Sequence, residues 1–264
     1  MEENVNHELP PEFINKFSED QITLCWENLA RTYFIQSRNG TNKYLKIQPV
    51  GSIESIEVQA QKLLWLKGKL SVPEVVDKGI LGNYEYLLTL EIKGAPASDK
   101  CFQNDVDGVV KLVAQGLRTI HEVPIANCSF DNRLNNLMEM IRYNYMHGHI
   151  NALKLNRNFG IENIDALLVD VEAFARKHKE DLVFTHGDYS MPNIMISDGR
   201  ISGFIDLGNC GISDRYYDLA VAEKSIVLNY GSEFIDMFYK YYGMNGVDRQ
   251  RIRFFQIIEC LLWG

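Results

Sequence analysis

Between Ile22 and Ile47 the apolar residues fall in short β-type runs, TLCW and TYFIQS, then KYLKI beyond the polar turn SRNGTN. This pattern predicts a hairpin followed by a third strand. From Glu57 to Lys69 the spacing changes: Val58, Leu63, Leu64 and Leu66 recur at helix-like intervals, with Gly68 near the end, so a helix is expected there. VPEVVDKGI and YEYLLTLEIKG read as two more strands, and GAPASD has the composition of a linker. Beyond it the chain turns helical. VDGVVKLVAQGLRTIHEV carries an apolar stripe that stops before Pro124, and a second helix is expected across Arg133 to Tyr145. The Asn-rich stretch from His147 to Gly160 is expected to hold loops that serve a substrate. IDALLVDVEAFARKHKED predicts a helix, LVFTH and NIMIS two short strands, with GFID beyond, and the last fifty residues helices.

This order places a strand-rich segment with one helix at residues 1–94 and a mainly helical segment at 95–264. At 264 residues two modest lobes are a natural division. Hydrophobic residues at 46% and charged residues at 23% suit a folded globular chain. A formal charge of −8 argues against a nucleic-acid partner and suits a cationic one. The five cysteines are scattered without a C-x-x-C pair, which excludes a disulfide framework or zinc site as an organising principle. The acidic start lacks the features of a secretory signal, and no apolar run is long enough for a membrane span, so the expectation is a cytoplasmic protein acting as a monomer or weak dimer without a membrane partner.

Candidate chemistry concentrates in one stretch. His186-Gly187-Asp188-Tyr189-Ser190-Met191-Pro192-Asn193, followed by Ile205-Asp206-Leu207-Gly208, has the spacing of the kinase catalytic loop H-R-D-x-x-x-x-N with glycine in place of arginine, then an Asp-x-Gly where D-F-G would stand. Phosphoryl transfer asks a protein mainly for positioning and electrostatics. Asp188 is the candidate to orient an acceptor hydroxyl, and Asn193 and Asp206 are candidate hard-oxygen ligands for Mg2+. Lys46, on a strand ahead of a helix, is placed to reach the phosphates of ATP. A kinase also expects a helix glutamate to hold that lysine; the chain offers Gln59 or Glu57. The turn in WENLART contains no glycine, and a G-x-G-x-x-G loop is absent.

HGDYSMPNIM, GFIDLGNCG, DRYYDLA, LLWLKGKLSVPEV and the terminal LLWG together resemble the aminoglycoside phosphotransferases, a branch of the protein-kinase-like fold. The pieces MPN, DRYxDLA, GAPASD and Trp263-Gly264 are most similar to the streptomycin 3''-phosphotransferases. The resemblance implies an α+β, two-lobed kinase-like fold, with an antiparallel N-lobe sheet and one helix, a mainly helical C-lobe, and ATP bound between them. It implies ATP and Mg2+ as cofactors and a small cationic antibiotic as substrate. Asp188 is then the catalytic aspartate, Asn193 and Asp206 the metal ligands and Lys46 the phosphate-binding lysine. Tyr44 would lie against adenine, the main chain at Leu90 and Ile92 would pair with its edge, and Asn28 would fall near the phosphates.

Three positions depart from that pattern. Gln59 stands where the family keeps the glutamate partner of the lysine, Asn209 where an arginine usually follows Asp-x-Gly, and Cys260 where the kanamycin 3'-kinases carry an acidic residue. For the guanidinium groups of streptomycin the candidate partners are Glu259, Glu162 and Asp165. Asp218 is expected to brace the catalytic loop. A kanamycin-type 3' kinase, a metabolic kinase of the same fold acting on choline, a sugar or homoserine, and a nucleotide-binding pseudokinase are the alternatives.

Overall fold

A computed structural model describes residues 9–38, 40–52 and 55–263. The acidic start (residues 1–8), Asn39 of the predicted turn and the terminal Gly264 lie outside the described residues. The chain divides into two compact units. One contains the residues up to Lys93 together with Gly203–Gly208; the other contains Gly94–Ser202 and the residues from Asn209 onward.

In the first unit, a short helix α1 (Pro11–Ile14) precedes strands β1 (Gln21–Glu27), β2 (Arg31–Gln36) and β3 (Lys43–Pro49), helix α2 (Ile56–Leu66), and strands β4 (Val75–Leu81) and β5 (Tyr84–Leu90). The five strands form one antiparallel sheet in the order β1-β2-β3-β5-β4. Side chains alternate across a strand. Tyr33, Ile35, Leu45 and Ile47 therefore share the face that packs with Phe13, Phe17, Tyr86 and Leu88 into one core. Tyr44 and Lys46 fall on the opposite face, between the core positions of β3.

Helix α2 begins where the Ser55 side chain accepts the Val58 N–H, a cap that satisfies one of the unpaired amides of the first turn. It ends at Leu66, three residues before the expected Lys69, because Lys67 leaves the helical region and Gly68 adopts φ +79°. Its inward face carries Ile56, Gln59, Ala60, Lys62, Leu63 and Leu66. Val58 and Leu64, counted in the apolar stripe from sequence, face outward. The true stripe includes two polar residues, which an apolar count discards.

The chain does not pass from one unit to the other only once near residue 94. Gly203–Gly208 groups with the first unit because its backbone is held there: Phe204 N–H donates to the Ser71 carbonyl at 2.9 Å, and Lys62 Nζ donates to the Gly208 carbonyl at 2.6 Å. A β-carbon at Gly203 would lie 2.9 Å from the Ser71 carbonyl oxygen and 3.0 Å from Ile92 Cγ2, so glycine permits this approach.

The second unit is mainly helical. GAPASD is more than a linker, since Ala95–Pro96 forms strand β6. The helices α3 (Val106–His121), α4 (Leu134–Met146), α5 (Ala152–Phe159) and α6 (Ile164–Lys177) follow. Next come β7 (Leu182–Thr185), β8 (Ile194–Ser197), β9 (Arg200–Phe204, of which residues 203 and 204 count with the first unit) and β10 (Gly211–Asp214), and then α7 (Arg215–Asn229), α8 (Ile235–Tyr242) and α9 (Arg249–Trp263). Strands β6, β8 and β9 make one small sheet and β7 pairs with β10 in another. The expected loop from His147 to Gly160 instead contains α5. Asn151 accepts the Lys154 N–H as its N-cap, Gly160 closes it at φ +69°, and Leu155 anchors its buried side. Asparagine and glycine, read as loop residues, are here the two caps of a helix. Among the described residues no helix is long and apolar enough to cross a membrane.

Candidate active site

The loop after β7 carries His186, Gly187 and Asp188. Thr185 lies opposite Gly211 in the β7–β10 register, which brings the start of this loop against Asn209. Gly187 sits at φ +83°, and a β-carbon there would lie 2.0 Å from the Asn209 carbonyl oxygen. The glycine that replaces the kinase arginine is thus required by close backbone approach. That same carbonyl accepts Asn132 Nδ2 at 2.6 Å, so Asn209 contributes its main chain to holding the loop.

Asp218, buried on α7, accepts the His186 N–H at 2.7 Å and the Gly187 N–H at 2.9 Å, one with each carboxylate oxygen. The expected brace is therefore present. His186 is wholly buried and its Nδ1 faces the Asp188 N–H at 3.3 Å, which makes it a structural residue of the loop. Tyr189 anchors the next turn by donating its hydroxyl to the Val113 carbonyl at 2.7 Å, and the Met191 N–H donates to Ser225 Oγ at 2.9 Å.

Asn193 closes this arrangement. Its Nδ2 donates to Asp188 Oδ2 at 2.8 Å, to the Asp188 carbonyl at 3.0 Å and to Ser190 Oγ at 3.1 Å. An amide has one nitrogen and one oxygen. With the nitrogen turned to Asp188 and Ser190, the oxygen faces the other way as a hard donor.

The other candidate residues lie in the first unit. Lys46 Nζ donates to Gln59 Oε1 at 3.0 Å. Glu57, the alternative partner, sits one residue off the buried face of α2, where it pairs with Lys78 and accepts Gln61 Nε2. Position on the helix decides between them. Gln59 also stands beside the Asp206 segment, since a β-carbon at Gly208 would meet its side chain at 3.5 Å. Asp206 has φ +56°, a left-handed conformation that non-glycine residues rarely adopt. Lys62 was missed from sequence: a lysine inside a helix suggests solvent, yet this one is buried and tethers Gly208.

Tyr44 is half-buried and its ring lies 5.2 Å from that of Phe34; burial raises its phenol above the ordinary range. The Leu90 N–H is committed to the Glu74 carbonyl at 2.9 Å, so the expected adenine contact at Leu90 can involve only its carbonyl. Ile92 lies beyond β5 with its side chain against Gly203. Asn28 opens the glycine-free turn between β1 and β2, its N–H donating to the Ala30 carbonyl at 3.0 Å.

The candidate substrate carboxylates are dispersed. Glu259 pairs with Lys224 at 2.7 Å, Asp165 accepts the Tyr145 hydroxyl, and Glu162 is exposed ahead of α6. The buried Tyr217 phenol, whose oxygen accepts Trp263 Nε1 at 3.1 Å, is pushed well up first by burial and then by the charges of Glu259, Asp218 and Asp188. Cys260, next to Glu259, is buried.

A family model described as a phosphotransferase enzyme family matches residues 22–255. The chain is 31% identical over 251 residues to an aminoglycoside 3'-phosphotransferase of Niallia circulans, covering 93% of this chain and 94% of that protein. It is 30% identical over 234 residues to a streptomycin 3''-kinase of Streptomyces griseus, covering 84% and 85%. A solved structure of an aminoglycoside phosphotransferase of the (3'')-Id type from Streptomyces rimosus, in complex with ADP and streptomycin, is similar with a TM-score of 0.80 at 23% identity, covering 96% of each chain. That likeness is one of fold.

Proposed function

Because this chain belongs to the aminoglycoside phosphotransferase family, we propose that it transfers the γ-phosphoryl group of ATP to a hydroxyl of an aminoglycoside, most specifically the 3'' hydroxyl of streptomycin. The observation that carries the reading is the Asp188–Asn193 pair at 2.8 Å on a loop whose backbone is fixed by Asp218. A carboxylate fixed in this way can orient an acceptor hydroxyl and take its proton. The hydroxyl oxygen then bonds to the γ-phosphorus as the bond to the bridging oxygen breaks, and ADP leaves.

In this reading Lys46, oriented by Gln59, meets the α- and β-phosphates, Tyr44 lies against adenine, and the main chain at Leu90 and Ile92 meets its edge. Asn28 supplies a polar contact at the phosphate end. Asn193 and Asp206 would hold Mg2+, and their donor chemistry fits: an amide oxygen turned away from its own donors and a carboxylate are hard ligands of the kind magnesium shares with phosphate. When bound, the metal neutralises phosphate charge. Glu259 supplies negative charge for a guanidinium, with Glu162 and Asp165 as outer contacts. The enzyme works in the cytoplasm as a monomer or weak dimer, without a nucleic-acid or membrane partner. Resistance follows because an added phosphate spoils the cationic antibiotic's fit to RNA.

A kanamycin-type 3' kinase is the second reading, favoured by the similarity to the Niallia protein over 93% of the chain. An ADP-release assay across streptomycin, kanamycin, hygromycin, a macrolide and choline separates them. Turnover with streptomycin and not kanamycin supports the first; the reverse selects the second. Turnover with choline alone would move the chain to the metabolic kinases.

A further inference from the structure

His121, the last residue of α3, has a buried imidazole that none of the proposed reaction steps uses. Its Nε2 lies 3.3 Å from Asp218 Oδ2, and its Nδ1 lies 2.7 Å from the hydroxyl of Tyr242, the last residue of α8. The two rings meet edge to face, 5.7 Å apart. The Tyr242 hydroxyl in turn receives Arg215 Nη1 at 2.9 Å, and the same guanidinium pairs with Asp181. Arg215, Tyr242 and His121 line a surface cleft together with Arg118, Glu122 and Asp181. A continuous path of contacts thus runs from solvent through Tyr242 and His121 to the carboxylate that holds the catalytic loop.

A guanidinium can only donate, so the Tyr242 oxygen accepts from Arg215. In the relay inferred here the Tyr242 proton is directed to His121 Nδ1 across the 2.7 Å contact. An imidazole that accepts at Nδ1 carries its proton on Nε2, which faces Asp218. A second proton on Nδ1 would make it a donor and deprive the Tyr242 proton of this acceptor. Asp218 then receives three donors, two loop amides and one imidazole, and the imidazole is the one that comes from outside the loop.

We infer that His121 and Tyr242 are positioning residues for phosphoryl transfer, acting through Asp218 to hold the His186–Asp188 backbone in register. This rests on the assignment of Asp188 to the acceptor hydroxyl. It makes the floor of the Arg215 cleft part of the catalytic apparatus, although no residue of the cleft touches the reacting atoms. Loss of the relay lowers kcat, because the acceptor hydroxyl is no longer held in line, and leaves nucleotide binding in place.

The test has two arms on the full-length protein. In two-bond 1H–15N spectra of histidine-labelled wild-type enzyme, His121 is expected as the neutral Nε2–H form, and Tyr242→Phe is expected to release that fixed tautomer. In steady-state kinetics, Tyr242→Phe and His121→Leu are expected to lower kcat about tenfold or more while the nucleotide KM moves less than about twofold. His121→Gln keeps an N–H donor for Asp218 and is expected to retain kcat to within about threefold. An Nδ1–H tautomer in the wild type, or wild-type kcat in a folded Tyr242→Phe enzyme, overturns the inference. If wild-type protein transfers phosphate to no acceptor, the proposed function fails, and the tautomer still decides whether the relay exists.

Discussion

Lys46 donates its ammonium to the neutral amide oxygen of Gln59 at 3.0 Å, so the strand lysine is oriented by a hydrogen bond at the position where the family keeps an ion pair. A charge-assisted bond to carboxylate is about twice as strong as one to a neutral acceptor. Gln59 is buried on α2 beside Gly208, so it links Lys46 to the segment that carries Asp206.

Gln59→Glu is expected to lower the KM for ATP by about threefold to fivefold, since a net gain of roughly 1 kcal/mol is typical when a hydrogen bond becomes charge-assisted. Gln59→Ala is expected to raise it by about tenfold, because it leaves the Lys46 ammonium without this acceptor. ADP-release kinetics at saturating acceptor measure both. A Gln59→Ala enzyme with unchanged KM would show that the Lys46–Gln59 contact has no part in nucleotide binding.

Asp188→Ala is expected to reduce kcat by at least about a hundredfold, the size of effect seen when an acid–base or electrostatic group is lost. Nucleotide affinity, read by titration calorimetry with ADP, should remain within about twofold. Retained turnover in this variant would remove Asp188 from the reaction.

Chelation should abolish turnover reversibly. After treatment with EDTA, activity is expected to return on titration with Mg2+, and Asp206→Asn should shift that titration to higher metal concentration by about tenfold or more. Asp206→Asn protein that needs no more Mg2+ than the wild type would exclude this carboxylate as a ligand.

Gly187→Ala tests the backbone approach to Asn209. The new β-carbon would stand 2.0 Å from a main-chain oxygen at φ +83°, so the loop must shift. A loss of about 2–3 kcal/mol is expected, read as a fall in Tm of roughly 4–10 °C, together with loss of kcat. Gly148→Ala, at φ +68° in open space, serves as the control for positive φ alone and should cost about 1 kcal/mol with activity kept.

Glu259→Gln should raise the KM for streptomycin by about tenfold if its charge serves a guanidinium, while the KM for ATP is unchanged. Lys224→Met, which frees Glu259 from its partner at 2.7 Å, should act in the opposite direction. Equal streptomycin KM values across wild type and both variants would remove Glu259 from the substrate site.

The strands of the first unit were legible because alternation is a local property: Tyr33, Ile35, Leu45 and Ile47 announce one buried face, and Lys46 between them must point to the other. The candidate loop could be picked out for a similar reason, since the spacing of Asp188, Asn193 and Asp206 is written along the chain. Other features depended on residues distant in sequence. Whether Gln59 or Glu57 meets Lys46 depends on which side of α2 faces the sheet, and the inward face includes Gln59 and Lys62, which no apolar count selects. Asn151 and Gly160 signal a loop in composition but become helix caps once Leu155 has a core to enter. The Gly203–Gly208 segment joins the first unit through Ser71, Ile92 and Lys62, contacts spanning more than a hundred residues. The chain itself specified which groups are the candidates for the chemistry, because short-range spacing carries that information. Their partners were decided by tertiary packing, because a buried hydrogen bond forms only where folding brings donor and acceptor together away from water.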